Sequence, residues 1–165
     1  MSEPRVGLRE HVLSDMATFC DLQMDPEVGR HLSWLPRARS QCESALLDAI
    51  AQQAAAERAR FFFAVDLLTI GEMIGTVGYT KSTSATGDCG WFLRRQFWGH
   101  GYASEAVRHL VELAHADDQL ERLTASCRLK NVASVRVAEA CGFKRSAASD
   151  ERVHFELVLR RIAIG

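Results

Sequence analysis

The sequence predicts one α/β domain of the α+β kind, a mixed and mostly antiparallel central sheet flanked by helices. Three observations carry this. Two strand-sized apolar runs, 61–68 and 73–79, are joined by the turn Ile70-Gly71-Glu72, which makes an antiparallel hairpin. A third strand, 88–93, leads through a glycine-containing loop into a helix with the apolar set Ala106, Val107, Leu110, Val111 and Ala114. The last third alternates with period two, pauses for a short helix, and alternates again. At 165 residues the chain is long enough for one cored domain, 1–165, and too short for two comfortable ones.

The elements follow in order. Val6 to Leu8 suits a short first strand, and Ser14 is placed to cap a helix with the apolar face Met16, Phe19, Cys20 and Met24. Asp25 and Pro26 read as the cap and first residue of a second helix, carried to Leu32 and stopped by Pro36. Ser40-Gln41-Cys42-Glu43 is a capping-box pattern before Leu46, Leu47, Ile50 and Ala54, and the alanine-rich stretch extends that helix to Arg58. After the hairpin, 81–87 is a loop rich in Ser, Thr and Gly. The helix that opens at Ala103 ends near Asp117 and Asp118. Leu123, Ala125, Cys127 and Leu129 alternate as a half-buried strand, Asn131 caps a helix containing Val135, Val137 and Ala138, and Cys141-Gly142 ends it. Val153, Phe155, Leu157 and Leu159 form the closing strand.

Composition removes several function classes. Hydrophobic residues at 47% and charged residues at 25% are those of an ordinary globular chain, and no apolar run approaches a membrane span. A formal net charge of −1 gives no reason to expect nucleic acid as the main ligand. Five cysteines without a C-x-x-C pair fit reduced thiols, and the N-terminus lacks the pattern of a secretory signal, so a cytoplasmic location is expected. No metal-ligand spacing is present. A monomer or a homodimer is expected, the closing strand and the alanine-rich helix being the faces available for pairing.

Chemistry concentrates in Gln96-Phe97-Trp98-Gly99-His100-Gly101-Tyr102-Ala103, between a strand and a helix. Two glycines one residue apart let the backbone approach a bulky ligand, and a helix N-terminus offers unpaired N–H donors that favour phosphate. A dinucleotide fingerprint is not met, because the third glycine position is Ser104 and the loop follows an antiparallel hairpin. No P-loop pattern is present.

Gln96-x-x-Gly99-x-Gly101 resembles the Q/R-x-x-G-x-G/A signature of the GCN5-related N-acetyltransferases. Asn131-x-x-Ser134, followed by Cys141-Gly142-Phe143, resembles that family's second landmark. The segments Gly90-Trp91-Phe92-Leu93, 97–103 and Asp25-Pro26-Glu27-Val28 look most like the ribosomal-protein N-acetyltransferase (Rim) branch. The resemblance implies an acetyl-CoA-dependent N-acetyltransferase. It implies that the backbone of Trp91, Phe92 and Leu93 pairs with the pantetheine arm. It places the diphosphate on the N–H groups of Trp98, Gly99, His100, Gly101, Tyr102 and Ala103, counts Gln96 among the cofactor-binding residues, and puts Asn131 near the pantetheine or its thioester end. Arg94, Arg95, Lys130, Arg136 and Lys144 are the cations available to the 3′-phosphate.

Acetyl transfer to an amine also needs a base, because amines are mostly protonated at neutral pH, and the leaving thiolate needs a donor. Asp88 stands where the family often carries a glutamate, the alternative being a turn carboxylate. Glu105 is better read as a first-turn residue that favours the helix dipole. His31 and Trp34 fall in the segment that lines the acceptor pocket of similar proteins. The family's tyrosine, seven residues after the asparagine, is Ala138 here, which leaves Ser134 as the nearest hydroxyl, either as acid or as helix cap. Cys127 reads as a small core residue near the cofactor thiol. The acceptor is an amine, of a protein N-terminus or a small molecule, and transfer is direct within a ternary complex. The alternative is a non-catalytic acyl-CoA-binding sensor of the same fold.

Overall fold

The computed structural model describes residues 2–32, 37–82 and 85–159. Seven strands form one sheet in the order β1-β2-β3-β4-β5-β7-β6. They are β1 (Val6–Glu10), β2 (Arg60–Leu67), β3 (Glu72–Lys81), β4 (Thr86–Leu93), β5 (Arg122–Arg128), β6 (Lys144–Ala148) and β7 (Arg152–Val158). The helices are α1 (Met16–Met24), α2 (Pro26–Gly29), α3 (Arg39–Gln52), α4 (Tyr102–His115) and α5 (Val132–Ala140). Every neighbouring pair is antiparallel except β4 and β5. The mixed, mostly antiparallel sheet expected from the sequence is therefore observed.

The main core lies between one sheet face and α4. Alternation in the strands sends Val6, Val65, Val77, Leu123 and Phe155 to this face, where they meet Ala106, Val107 and Leu110, spaced to share one side of α4. On the other face α1 and α3 pack over β2 and β3 through Phe19, Leu46, Ala64 and Met73. This second layer becomes one wall of the site.

Four local expectations are corrected. Ser14 does not cap a helix: a single 3-10 turn spans Leu13–Asp15, and it is Asp15 whose carboxylate accepts the Val12 N–H at 2.9 Å. The second helix is one turn, Pro26–Gly29, although Asp25 caps it as expected by accepting the Glu27 N–H at 2.9 Å. Helix α3 starts at Arg39 and stops at Gln52, well before Arg58. Tertiary bonds overrule helix propensity there, because Gln53 donates to the His11 carbonyl at 2.8 Å and Arg58 grips Glu10 at 2.6 and 2.9 Å. Strand β6 was not foreseen. Its residues are all exposed and carry no apolar alternation, so only its backbone pairing with β7 at the sheet edge makes it a strand.

Helix α1 is fixed to the sheet through Asp15. Its carboxylate takes both terminal nitrogens of Arg9 at 2.8 and 2.9 Å, and Arg9 Nε reaches Asp66 on β2 at 2.6 Å. His11, wholly buried, lies 2.8 Å from Thr76 Oγ1 through Nε2 and 3.4 Å from Asp15 through Nδ1. Burial pushes the His11 imidazole below its ordinary pKa, so neutral pH finds it uncharged. Burial pushes the Asp15 carboxyl up, but the bonds from Arg9 and the Val12 N–H outweigh it and hold the group below the usual carboxylate range. A depressed carboxylate stabilises the fold above its unfolded pKa and loses that contribution as pH falls through the folded value. Asp15→Asn should therefore cost about 2–3 kcal/mol at pH 7, with a smaller penalty below pH 3. Thermal melts of both proteins between pH 2 and 7 measure this.

Candidate active site

The site begins where β4 and β5 part. Their parallel ladder has three rungs only, Thr86 with Arg122, Gly87 with Leu123 and Asp88 with Thr124. Beyond Asp88 the edge of β4 has no strand beside it among the described residues. The Arg94 N–H bonds to Ile74 on β3, so the alternation of an antiparallel strand turns the N–H groups of Trp91 and Leu93 to the open side. An extended ligand can pair there as a strand would.

A cleft of about 580 Å³ lies on this opening. Phe19, Gln23 and His31 from the helical layer form one wall, and Asn131, Ser134 and Arg152 contribute to the other. Its floor comes from β3 and β4, where Gly78 and Gly90 sit opposite one another. A Cβ on Gly90 would meet nothing within 4 Å, so the floor is open at that point.

At the end of the open edge stands the glycine loop. Gly99 and Gly101 have φ of +77° and +81°, left-handed values that other residues rarely adopt. They turn the chain into α4, with Gly101 as N-cap. Among the described residues, none receives a hydrogen bond from the N–H groups of 99–104. The loop is braced from outside: Trp98 Nε1 donates to the Leu93 carbonyl at 2.8 Å and His100 Nδ1 meets the Trp98 carbonyl at 2.8 Å. The His100 ring stacks on Tyr102, and Gln96 lies exposed in a 3-10 turn, Arg95–Phe97.

Sequence reasoning missed Arg5, which closes the loop from the far end of the chain. Its Nη1 donates to the His100 carbonyl at 3.0 Å and its guanidinium lies 4.9 Å from the Tyr102 ring centre. Glu105 accepts from Arg5 Nε at 2.9 Å and from the Val6 N–H at 3.1 Å. Burial raises the Glu105 carboxyl, yet these bonds prevail and hold it low. Glu105 is thus a tie between α4 and β1, and the structural reading of it stands. Between 95 and 100 residues separate the partners, so no local pattern announces the contact.

Of the remaining residues singled out in the sequence, Asp88, Asn131, Ser134, Trp91, Phe92 and His31 line the cleft. Asp88 lies exposed at the last rung and accepts from Thr124 Oγ1 at 3.1 Å. Across the opening Asn131 caps α5, its oxygen taking the Ser134 N–H at 3.2 Å while its Nδ2 donates to Ser134 Oγ at 2.9 Å. That bond fills an acceptor position on the serine and leaves its O–H to point elsewhere. Trp91 and Phe92 line the same space, and the buried indole N–H of Trp91 has no partner among the described residues. His31 lines it as well, with its ring 6.1 Å from that of Trp98. Trp34 lies outside the described residues. Ala138 is fully buried in the core. Of the cations considered, Arg94 and Arg95 turn to Glu72 and Asp25, while Lys130, Arg136 and Lys144 are exposed.

Cys127 also borders the cleft, but burial pushes its thiol up to about 11, so it is no nucleophile at neutral pH. Among the described residues no group of three His, Cys, Asp or Glu could hold a metal ion, and no helix is long and apolar enough to cross a membrane. The features present fit a phosphorylated acyl carrier of the coenzyme A kind: a run of free N–H groups, an open strand edge and an orphaned indole donor.

Known proteins agree with this arrangement. Residues 5–144 match the family model described as an acetyltransferase (GNAT) domain. An uncharacterized N-acetyltransferase, p20 of Bacillus licheniformis, is 27% identical over 148 residues, 86% of this chain and 80% of that protein. Among solved structures, RimL, a ribosomal-protein α-N-acetyltransferase in complex with coenzyme A, superposes with a TM-score of 0.81 at 16% identity over 95% of this chain and 96% of its own. A spermidine N-acetyltransferase from Vibrio cholerae, solved with CoA and spermine, gives 0.79 at 13% identity over 95% and 97%. These two likenesses concern the fold.

Gly101→Ala should weaken coenzyme A binding at least tenfold. The new Cβ forces a left-handed alanine, at about 1–2 kcal/mol, and meets Arg5 Nη2 at 3.3 Å. Calorimetric titration of both proteins with coenzyme A reads the difference.

Proposed function

The chain belongs to the GNAT acetyltransferase family and is an acetyltransferase, and we propose that it moves the acetyl group of acetyl-CoA directly to a primary amine in a ternary complex. The amine is the N-terminus of a protein or part of a small molecule. One observation supports this best: a carboxylate, Asp88, and a hydroxyl, Ser134, both line the cleft beside the open β4 edge.

Acetyl-CoA, when bound, supplies an acyl carbon with a thiolate leaving group. The loop N–H groups of 99–104 hold its diphosphate, and the edge of β4 at Trp91 and Leu93 holds its extended arm. The Trp91 indole N–H offers one further donor along that edge. These contacts fix the reacting end near Asn131, so that the acceptor need only enter from the His31 side. Prepositioning of this kind is itself a large part of catalysis.

The amine arrives protonated, since lysine-type amines titrate near ~10 and α-amines near ~8. Asp88 is the proton acceptor in this reading, directly or through one water, with Thr124 holding its other face. Ser134 donates toward the sulfur. An aliphatic hydroxyl is a far weaker acid than a thiol of pKa ~8.5, so Ser134 stabilises the thiolate by hydrogen bonding rather than by surrendering its proton. That accounts for a working site with Ala138 where similar proteins carry a tyrosine.

Asp88→Asn should lower kcat at least tenfold, about 1.4 kcal/mol in barrier, with the deficit shrinking above pH 9 as the amine loses its proton unaided. Ser134→Ala should cost several-fold at every pH. Thioester consumption against a panel of amines measures both, and neither assignment survives if both variants stay within twofold of the parent.

A further inference from the structure

One cation in the lining of the cleft stands apart from the others. Among its described residues Asp88 is the one carboxylate, whereas Arg37, Arg60 and Arg152 all face it. Arg60 is answered by Asp48, 2.6 Å away on the outer rim. Arg152 is different. It stands half-buried at the start of β7, its Nε donating to Ser126 Oγ at 2.8 Å and its Nη2 to the Ser126 carbonyl at 3.2 Å. Both partners are neutral, and among the described residues no carboxylate lies within salt-bridge distance of it.

Ser126 occupies one edge of the guanidinium and fixes its plane. Among the described residues the edge formed by Nη1 and the second hydrogen of Nη2 stays unused, and that edge matches the two oxygens of a carboxylate or phosphate. A partly desolvated cation without a counter-ion calls for an anion. On the opposite wall Gln23, 4% exposed, carries an Oε1 with no hydrogen-bond partner among the described residues. A buried amide oxygen left so calls for an N–H donor. Asp88 and Arg152 are placed within a few residues of each other, since Thr124 flanks the first and Ser126, two positions along β5, holds the second.

Resting on the acetyltransferase reading above, we propose that the acceptor is an amine that also carries an acidic group, a carboxylate or a phosphate ester, with Arg152 binding the acid and Gln23 accepting an N–H of the same molecule. Asp88 faces the amine. Polycationic amines are disfavoured, because a further ammonium would stand against the Arg152 guanidinium, which has no carboxylate beside it among the described residues.

The test is an acceptor panel on the full chain with acetyl-CoA in excess. Its members are phosphoethanolamine, a dipeptide with a free C-terminal carboxylate, the same dipeptide as its amide, spermidine and kanamycin. The two acidic amines should show kcat/KM at least tenfold above the amide and the polycations, and the better of the two tells phosphate from carboxylate. Arg152→Gln should raise the acceptor KM at least tenfold for the acidic amines only, leaving kcat and the acetyl-CoA KM unchanged. Arg152→Lys should recover part of that loss. Gln23→Leu should raise the KM of every amine. Preference for spermidine or kanamycin overturns the inference but leaves the transferase intact. A rise confined to the acetyl-CoA KM in Arg152→Gln overturns it too, by assigning that arginine to the cofactor. Turnover of no amine, despite coenzyme A binding, removes the transfer reading and this inference with it.

Discussion

A parallel ladder of only three rungs between β4 and β5 is the constraint on which the rest of the site depends. Were the pairing to continue, the N–H groups of Trp91 and Leu93 would be spent within the sheet and the cleft would close. β5 pairs instead along its whole length with β7, so the sheet stays continuous below the split while its upper part opens. The unmet hydrogen bonds at the split are the ones a bound extended arm would make. Asp88 and Thr124 form the last rung, which puts the carboxylate at the mouth of the opening.

Two anchors keep that opening in shape, and both reach across the chain. Arg5 and Glu105 fasten the glycine loop and α4 to β1, which fixes the helix whose N-terminus faces the open edge. Asp15, through Arg9 and beside His11, fastens α1 to the sheet, and α1 carries Phe19 and Gln23 into the cleft wall. One anchor thus serves the proposed cofactor end and the other the acceptor end. The carboxylates of both, Glu105 and Asp15, are largely buried and multiply bonded, while the Arg5 side chain is exposed, so the Asp15 anchor resists loosening more.

Much of this was legible in the chain itself. The period change from helical to alternating near Phe61 marked the hairpin, and Gly99 and Gly101 announced left-handed backbone because few other residues accept it. Asn131 as a helix cap could be read from its neighbours, and so could the family. The failures have a common physical cause. Helix α3 stops at Gln52 because Gln53 and Arg58 bond to residues 42 and 48 positions away, and β6 exists through backbone pairing that leaves no mark on side-chain pattern. Arg5, Gln23 and Arg152 matter through long-range partners or the lack of them, and local composition carries no trace of either. Asp88 and Ser134 were singled out through the family resemblance, and that both line one cleft is visible only in three dimensions.

The central claim, that the unpaired edge of β4 and the loop beyond it hold acetyl-CoA, is tested most directly by amide hydrogen exchange with and without coenzyme A. The account predicts that exchange at Trp91 and Leu93, and at residues 99–104, slows at least tenfold on saturation, while the amides of β6 and β7 keep their rates. Unchanged exchange at Trp91 and Leu93 in a protein saturated with coenzyme A would contradict it.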